Sequence, residues 1–296
     1  DGNHLTGSIP TTLGNMTGLR QLLLSNNQFT GVIPAALGSI TNLVYLNISY
    51  NPLLSGPIPP QLGNLSQLQA LLLAYSGLTD MIPSSLSNLT SLQQLYLTGN
   101  ELTGPIMSQI HQMSSLRILQ LGDNKLDDNI PPNLLALPNL EQLSLYENEF
   151  EGSIPSGTTV FTGLKSFTAY GSGLSGAIPE WFSDQKLLHT FNIAYNGFSG
   201  ELPPGLMGEG SFKLEFRTNN NPNLTGKLPD KVSAVTGLVD ISHCNFTFQD
   251  FLSVHKSFSG STFIYAPQGL VDVQKNSSER IGFTFEFTAE VDREIY

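Results

Sequence analysis

An asparagine returns about every 24 residues along most of this chain, each time inside the same phrase of Leu, Gly, Ile and Pro. The slot is filled by Asn3, Asn27, Asn51, Asn100, Asn124, Asn148, Asn196 and Asn221, and by Ser76, Ser172 and Cys244 in three further turns of the cycle. A unit of this length cannot bury its own apolar face, so consecutive units must stack. The period therefore predicts an elongated solenoid of about ten repeats.

A single repeat shows how each unit folds. Leu95 and Leu97 alternate with Tyr96, the period-two pattern of a strand with one buried face. Asn100 follows and turns inward, where its amide can pair with backbone groups that the turn leaves unpaired. Stacked repeats then form a parallel β-sheet and a ladder of asparagines. Cys244 occupies the same slot, so we expect a buried structural thiol.

Two further columns define the outer part of each repeat. A glycine recurs just after the asparagine slot, and Asp80 and Asp128 replace it in two repeats. Both residue types suit a turn with positive φ. An Ile-Pro or Leu-Pro pair comes next, and a short stretch such as 62–65 is long enough only for a helical turn on the convex side.

The phrase L-x-x-L-x-L-x-x-N-x-L-T-G-x-I-P, seen clearly at 27–34 and 196–203, closely resembles the plant-specific class of leucine-rich repeats. The resemblance covers roughly residues 1–245. It implies a leucine-rich repeat solenoid, a twisted right-handed superhelix with a parallel β-sheet on the concave face and short helical turns and loops on the convex face. In that family, which includes receptor-kinase ectodomains and inhibitors of polygalacturonases, ligands usually bind the inner face.

The chain divides into three predicted segments. Residues 1–245 form the repeat domain, whose N-terminal cap is expected upstream because no strand precedes Asn3. Residues 246–275 are expected to cap the C-terminal end, and they resemble the exit segment of bacterial surface proteins with plant-type repeats. Residues 276–296 contain an alternating stretch at 281–291 that predicts a strand, either the end of the cap or the start of a following β-domain.

Composition excludes several functions. Only 12% of residues are charged and the formal net charge is −11, so the chain should repel nucleic-acid phosphates. No apolar run approaches the roughly 18–20 residues of a membrane helix. Cys244 is the sole cysteine, and the sequence holds no catalytic or metal-binding motif. We therefore expect a non-catalytic protein without a cofactor or metal.

Tyrosines concentrate on the predicted concave face. Seven of the nine fall in or just after the strand positions that point away from the core, where lysine is scarce. Tyrosine offers a large contact area at a low entropic cost, although it is also a good strand former. The predicted binding residues are Tyr45, Tyr50, Tyr75, Tyr96, Gln120, Tyr146, Tyr170, Asn192, Tyr195 and Arg217. This mixed surface suits a protein, an extended peptide or a glycan.

Charged and aromatic positions between the regular columns allow two readings. Asp123 and Glu147 share a slot in adjacent repeats, which predicts either a solvated acidic face or a site for a basic group or a cation. Glu101, Lys125 and Glu149 alternate in sign, as ordinary surface pairs do, and we expect Trp181 to pack on the convex side. His189 and His243 are expected at the concave edge.

Seven N-x-S/T sequons mark possible glycosylation sites: Asn15, Asn47, Asn64, Asn88, Asn223, Asn245 and Asn276. The repeat phrase itself generates such triplets, so the signal has two explanations. A glycan on Asn47 would obstruct the concave face. Together, these features predict an extracellular or cell-surface binding module. A surface adhesin or spacer, a receptor-kinase ectodomain and the targeting arm of a larger enzyme remain alternatives.

Overall fold

The computed structural model describes residues 2–158, 161, 163–206, 215–228, 237–246 and 262–264. One strand from each successive repeat adds to a parallel 11-stranded sheet in chain order. Its strands are Gln21–Leu23, Tyr45–Asn47, Ala70–Leu72, Gln94–Tyr96, Ile118–Gln120, Gln142–Ser144, Ser166–Thr168, Thr190–Asn192, Glu215–Arg217, Leu238–Asp240 and Thr262–Ile264. This concave sheet confirms the predicted leucine-rich repeat solenoid.

The strands pair in an unshifted register, so equivalent residues of neighbouring repeats stand side by side. Leu46, Leu71, Leu95 and Leu119 are successive partners and are fully buried. The residues on either side of each central position point to the opposite face of the sheet. Each repeat therefore contributes a buried apolar column and two columns that face the concave surface.

A second set of short strands was not predicted. After each asparagine slot the chain runs extended again and pairs with the next repeat, forming three small parallel sheets beside the concave one. The lateral strands are Thr6–Ser8, Gln28–Thr30, Thr79–Met81, Glu101–Gly104, Lys125–Leu126, Ser175–Ala177, Gly197–Glu201 and Asn223–Thr225. Two to five residues with at most one buried side chain give too little alternation to predict a strand from one repeat.

The convex side carries single turns of 3-10 helix, as expected. They span Thr11–Asn15, Ala35–Ser39, Pro60–Asn64, Ser84–Asn88, Ser108–Gln112, Pro132–Ala136 and Glu180–Asp184. In six of the seven turns the preceding residue belongs to the Pro column and has extended backbone, as at Pro34 (φ −66°) and Pro59 (φ −62°). Proline's fixed φ and missing N–H suit it to the start of a helical turn.

The asparagine ladder forms as predicted. The Asn100 side-chain Nδ2 donates to the carbonyls of Leu97 (2.7 Å) and Leu73 (2.9 Å), while its Oδ1 accepts from the amides of Ser76 (3.0 Å) and Leu78 (3.1 Å). One side chain thus satisfies backbone groups in its own repeat and in the preceding one. Because an unpaired buried backbone group is costly, this column holds adjacent turns together.

The core changes character along the solenoid. Leucine fills it through the first repeats, whereas Phe167, Phe182, Phe191 and Phe216 stack or meet edge-on further along, with ring centroids 5.0–6.0 Å apart. Trp181 is buried against this cluster, and its indole N–H donates to the carbonyl of Pro155 (3.0 Å). Trp181 therefore packs on the convex side, as the sequence predicted.

At the C-terminal side, strand Thr262–Ile264 pairs in register with Leu238–Asp240 and extends the concave sheet. The predicted boundaries at 245 and 275 stay predictions. The strand predicted at 281–291 and the sequon at Asn276 lie outside the described residues.

Candidate functional site

The predicted binding residues lie at three kinds of position in the repeat: in the concave strand, two residues after it and three residues after it. Tyr45, Tyr96, Gln120, Asn192 and Arg217 lie in the strands. Tyr146 and Tyr170 come two residues after a strand, and Tyr50, Tyr75 and Tyr195 lie three residues after one, in the turn before the ladder. The tyrosines therefore lie partly on the concave sheet and partly along the rim where its strands end.

Three of the tyrosines on the rim have an uncommon backbone conformation. Tyr50, Tyr75 and Tyr195 have φ of 59°, 53° and 56°, in the left-handed region that favours glycine or asparagine. The repeat imposes it, because the amide of Tyr50 donates to the carbonyl of Ala74 and that of Tyr75 to the carbonyl of Thr98, both at 2.8 Å. The rings consequently project outward, with relative exposures of 51%, 38% and 63% for Tyr50, Tyr75 and Tyr195.

Four of these tyrosines form two stacked pairs. The ring centroids of Tyr50 and Tyr75 lie 5.1 Å apart, and those of Tyr146 and Tyr170 lie 4.7 Å apart with an interplanar angle of 7°. Each pair comes from adjacent repeats. Stacking of this kind holds both rings in fixed orientations and contributes about 0.5–1.5 kcal/mol beyond the buried area.

Two glycines allow the pairs to meet. The ring of Tyr75 lies over Gly99, and the ring of Tyr146 lies over Gly122, so that a Cβ at either glycine would strike the ring. The side chains of Tyr75 and Tyr146 also interact across these two intervening repeats, which helps to raise the pKa of Tyr146. Tyr50, Tyr75, Tyr146 and Tyr170 thus make one continuous row along the rim, which we call the tyrosine strip.

Two carboxylates border the strip. Asp123 and Glu147 occupy the left-handed turn position in adjacent repeats and are exposed. The pKa of Tyr146 is raised mainly by burial, and to a smaller extent by Tyr75, Tyr170 and Asp123. Burial and then Glu147 and Asp123 raise the pKa of Tyr170. The hydroxyls therefore stay protonated, and the two carboxylates make the region around these rings negatively charged.

Tyr45 and Tyr96 form a second, smaller group on the sheet itself. Both are half-buried, and the small Ala70 lies in the strand between theirs. Burial raises the pKa of Tyr96, and the proximity of Tyr45 adds to the effect. These two side chains therefore supply an aromatic, uncharged area next to the strip.

Three cations on the concave surface form ion pairs. Glu141 accepts hydrogen bonds from Arg117 and from Lys165 (2.7 Å), and these contacts, Lys165 first, lower the pKa of its carboxyl. Arg217 forms an ion pair with Glu215 at 2.6 Å. None of the four ion pairs among the described residues includes Asp123 or Glu147. The opposite edge of the sheet is thus internally neutralised, while the strip keeps open negative charge.

Some predicted binding residues are tied into the protein. Asn192 is only 6% exposed, where its Nδ2 donates to Glu215 (3.2 Å) and its Oδ1 accepts from the amide of Ala194 (3.2 Å). Arg217 lies beside them in its ion pair, and Gln120 is half-buried. Tyr195 is the most exposed tyrosine, but it makes no ring contact within the described part of the chain. These four stay predicted contacts outside the strip.

The remaining titratable groups lie outside the tyrosine strip. Cys244 is 2% exposed, its thiol donates to the carbonyl of Thr218 (3.0 Å), and burial raises its pKa to about 11. Burial and Lys165 lower the pKa of His189, which is half-buried, whereas His243 is exposed on the rim. Lys125 pairs with Glu101 at 3.0 Å on the lateral face. No group of three His, Cys, Asp or Glu side chains among the described residues could hold a metal ion.

The sequons fall on different surfaces. Asn15, Asn64 and Asn88 end 3-10 turns on the convex side and are exposed. Asn223 and Asn245 are also exposed. Asn47, in contrast, is half-buried in a concave strand, where its Oδ1 accepts from the amide of Ser49 (3.0 Å). Convex glycans would leave the concave face open, and one on Asn47 would not.

Gly99 and Gly122 are positions of the candidate site that the sequence did not predict. A glycine in a variable slot looks like a gap in the pattern of binding residues. Its role becomes visible only when the ring of the next repeat is placed over it. The available signal was the coincidence of two glycines between two pairs of tyrosines in neighbouring slots.

Within the described ranges, no helix is both long and apolar enough to cross a bilayer. A family model described as a leucine-rich repeat region matches residues 3–196. A comparison with curated protein sequences gives no match.

Several solved structures are similar to the chain. One is the ectodomain of the plant membrane receptor kinase GASSHO1/SCHENGEN3 from Arabidopsis thaliana, in complex with CASPARIAN STRIP INTEGRITY FACTOR 2 (31% identity, TM-score 0.71, covering 88% of this chain and 35% of that one). Another is the Arabidopsis receptor kinase HAESA with the peptide hormone IDA and the co-receptor SERK1 (30% identity, TM-score 0.68, 89% and 53%). A leucine-rich repeat protein of Leptospira interrogans (22% identity, TM-score 0.60, 88% and 71%) shares the fold.

This chain spans about a third of the first ectodomain and about half of the second. The matched region covers most of the repeats, and the sheet, ladder and 3-10 turns repeat along it. The chain therefore belongs to the leucine-rich repeat family, and its repeats are of the plant type.

Proposed function

We propose that this chain is a non-catalytic, extracellular binding module that recognises a protein or peptide through its concave surface, with the tyrosine strip as the principal contact. The observation that carries the proposal is the strip itself. Four tyrosines from four repeats lie in one row, with two stacked pairs and an interaction between Tyr75 and Tyr146. A fixed aromatic surface loses little side-chain entropy when a ligand binds.

The shape of the strip favours an extended ligand. It runs along the solenoid across several repeats, so a strand-like peptide or a protein loop could contact all four rings at once. The similar receptor ectodomains support this choice, because the HAESA structure holds the peptide hormone IDA. A glycan stays a second possible ligand class, since tyrosine faces also stack on sugars.

A selection from a random peptide library displayed on phage tests the proposal. The bait is the chain itself, and the variant is Tyr75→Ala/Tyr146→Ala/Tyr170→Ala. A matched control, Leu53→Ala/Met81→Ala/Leu187→Ala, removes exposed apolar side chains away from the concave face. We expect enriched peptides to bind the wild type and the control but not the tyrosine variant. Absence of enrichment, or equal binding to the tyrosine variant, would contradict the proposal.

A further inference from the structure

The end of the tyrosine strip formed by Tyr146 and Tyr170 combines aromatic faces with open negative charge. Asp123 lies close enough to both hydroxyls, and Glu147 to that of Tyr170, to disfavour their ionisation. Neither carboxylate belongs to an ion pair among the described residues, whereas Glu141 and Glu215 on the same concave surface are both paired with cations. This end of the strip thus carries two carboxylates that no cation of the described residues compensates.

The position of the carboxylates is fixed by the backbone. Asp123 and Glu147 have φ of 56° and 47°, and their amides donate to the carbonyls of Tyr146 (2.7 Å) and Tyr170 (2.9 Å). The turn that presents each carboxylate is therefore bound to the turn that presents the adjacent ring. The main chain therefore already holds each carboxylate beside the turn that carries the adjacent ring.

We infer that this end of the strip binds an arginine side chain of an extended, basic peptide segment. A guanidinium is planar, so it can lie on a tyrosine face while its N–H groups donate to a carboxylate. The overall net charge of −11 also favours the approach of a basic partner. Lysine fits less well, because its ammonium is strongly hydrated and cannot stack as a plane.

The inference deepens the proposed function and rests on it, since both place the ligand on the tyrosine strip. It adds a chemical requirement that the proposed function does not need. A peptide could bind the four rings through apolar contacts alone. The requirement for arginine can therefore fail while peptide binding at the strip survives.

Fluorescence anisotropy with a short labelled Gly-Ser peptide containing three arginines tests the inference. The comparison peptides replace every arginine with citrulline, which keeps the shape and removes the charge, or with lysine. We expect the arginine peptide to bind about tenfold or more tightly than the citrulline peptide, as befits the loss of a charge-assisted contact. The lysine peptide should fall between them. Equal binding of the arginine and citrulline peptides, or no binding of the arginine peptide, would overturn the inference.

Two charge-matched variants separate a local site from general attraction. Asp123→Asn/Glu147→Gln removes the two carboxylates at the strip, and Asp127→Asn/Glu151→Gln removes two exposed carboxylates away from it. We expect the first variant to lose about tenfold in affinity for the arginine peptide and the second to change less than about twofold. Equal losses would show that only net charge matters and would refute the site. Library peptides that bind the strip without arginine would refute the inference and leave the proposed function intact.

Discussion

Two adjacent columns of the repeat, one residue apart in sequence, behave in opposite ways. The ladder slot holds Asn51, Asn100 or Ser76 at 0–8% exposure, and its side chains are consumed by backbone hydrogen bonds. The slot just before it holds Tyr50 and Tyr75 at 51% and 38% exposure. The same tight turn therefore buries the side chain in the ladder slot and exposes the side chain just before it. Regularity in the first column explains the fold, and variation in the second leaves room for recognition.

The largest expected effect comes from breaking the ladder. Asn100→Ala would leave the carbonyls of Leu73 and Leu97 and the amides of Ser76 and Leu78 without their side-chain partner. We expect the free energy of unfolding to fall by about 3–5 kcal/mol, measured by chemical denaturation. Asn133→Ala, at an exposed convex asparagine, is the control and should change it by less than about 1 kcal/mol. Similar losses at both positions would show that the ladder has no special role.

A smaller effect is expected at Gly122, the glycine that lies under the Tyr146 ring. Gly122 does not have a positive φ, so Gly122→Ala adds a Cβ that the backbone tolerates but the Tyr146 ring does not. We expect a loss of about 1–3 kcal/mol and a weaker near-ultraviolet circular dichroism signal from the displaced stack. Gly163→Ala is the matched control, because no atom lies near its added Cβ. An unchanged spectrum for Gly122→Ala would mean that the ring is not held over the glycine.

The strip also predicts how stability depends on alkaline pH. The pKa values of Tyr146 and Tyr170 are raised in the folded protein, so the folded state holds protons that the unfolded state releases above about pH 10. This contribution to stability is complete below that pH and is lost as the pH rises further. We expect Tyr146→Phe/Tyr170→Phe to make the decline shallower in denaturation curves collected between neutral and alkaline pH. An identical pH profile would contradict the protonated, desolvated hydroxyls.

The smallest effect is expected at the opposite edge of the concave sheet. Glu141→Gln removes the carboxylate that pairs with Arg117 and Lys165, all of them partly exposed. Exposed ion pairs contribute little, so we expect a loss below about 1 kcal/mol that shrinks with added salt. Because the pKa of Glu141 is lowered in the fold, this contribution is present at neutral pH and disappears as acid protonates the carboxyl. A salt-insensitive loss would point to packing instead.

The sequence predicted the parts of the molecule that one repeat determines. The period gave the parallel sheet, the inward asparagines and the 3-10 turns, and Asp80 and Asp128 have the positive φ expected of them (64° and 66°). It could not show the lateral strands, whose few residues acquire a partner only when repeats stack. It also missed the contact between Tyr75 and Tyr146, because that contact depends on empty space at Gly99 and Gly122 in other repeats.

The charge pattern illustrates the same limit. The sequence shows that Asp123 and Glu147 share one slot in adjacent repeats. It does not show whether a nearby cation pairs with them. The structure pairs Arg117 and Lys165 with Glu141 and Arg217 with Glu215 instead. Arg117, Glu141 and Lys165 share one slot in consecutive repeats and Glu215 and Arg217 share one strand, so the pairing depends on which neighbour each side chain turns towards.

The separation of folding from binding is tested most directly by measuring both properties of one variant. For Tyr75→Ala/Tyr146→Ala/Tyr170→Ala, the affinity for a library-selected peptide and the far-ultraviolet circular dichroism spectrum are recorded at the same temperature. The account predicts a native spectrum with at least a tenfold loss of affinity, because the variant removes three aromatic side chains that contact the ligand. Undiminished affinity in a folded variant would contradict the claim that the tyrosine strip is where this solenoid binds its ligand.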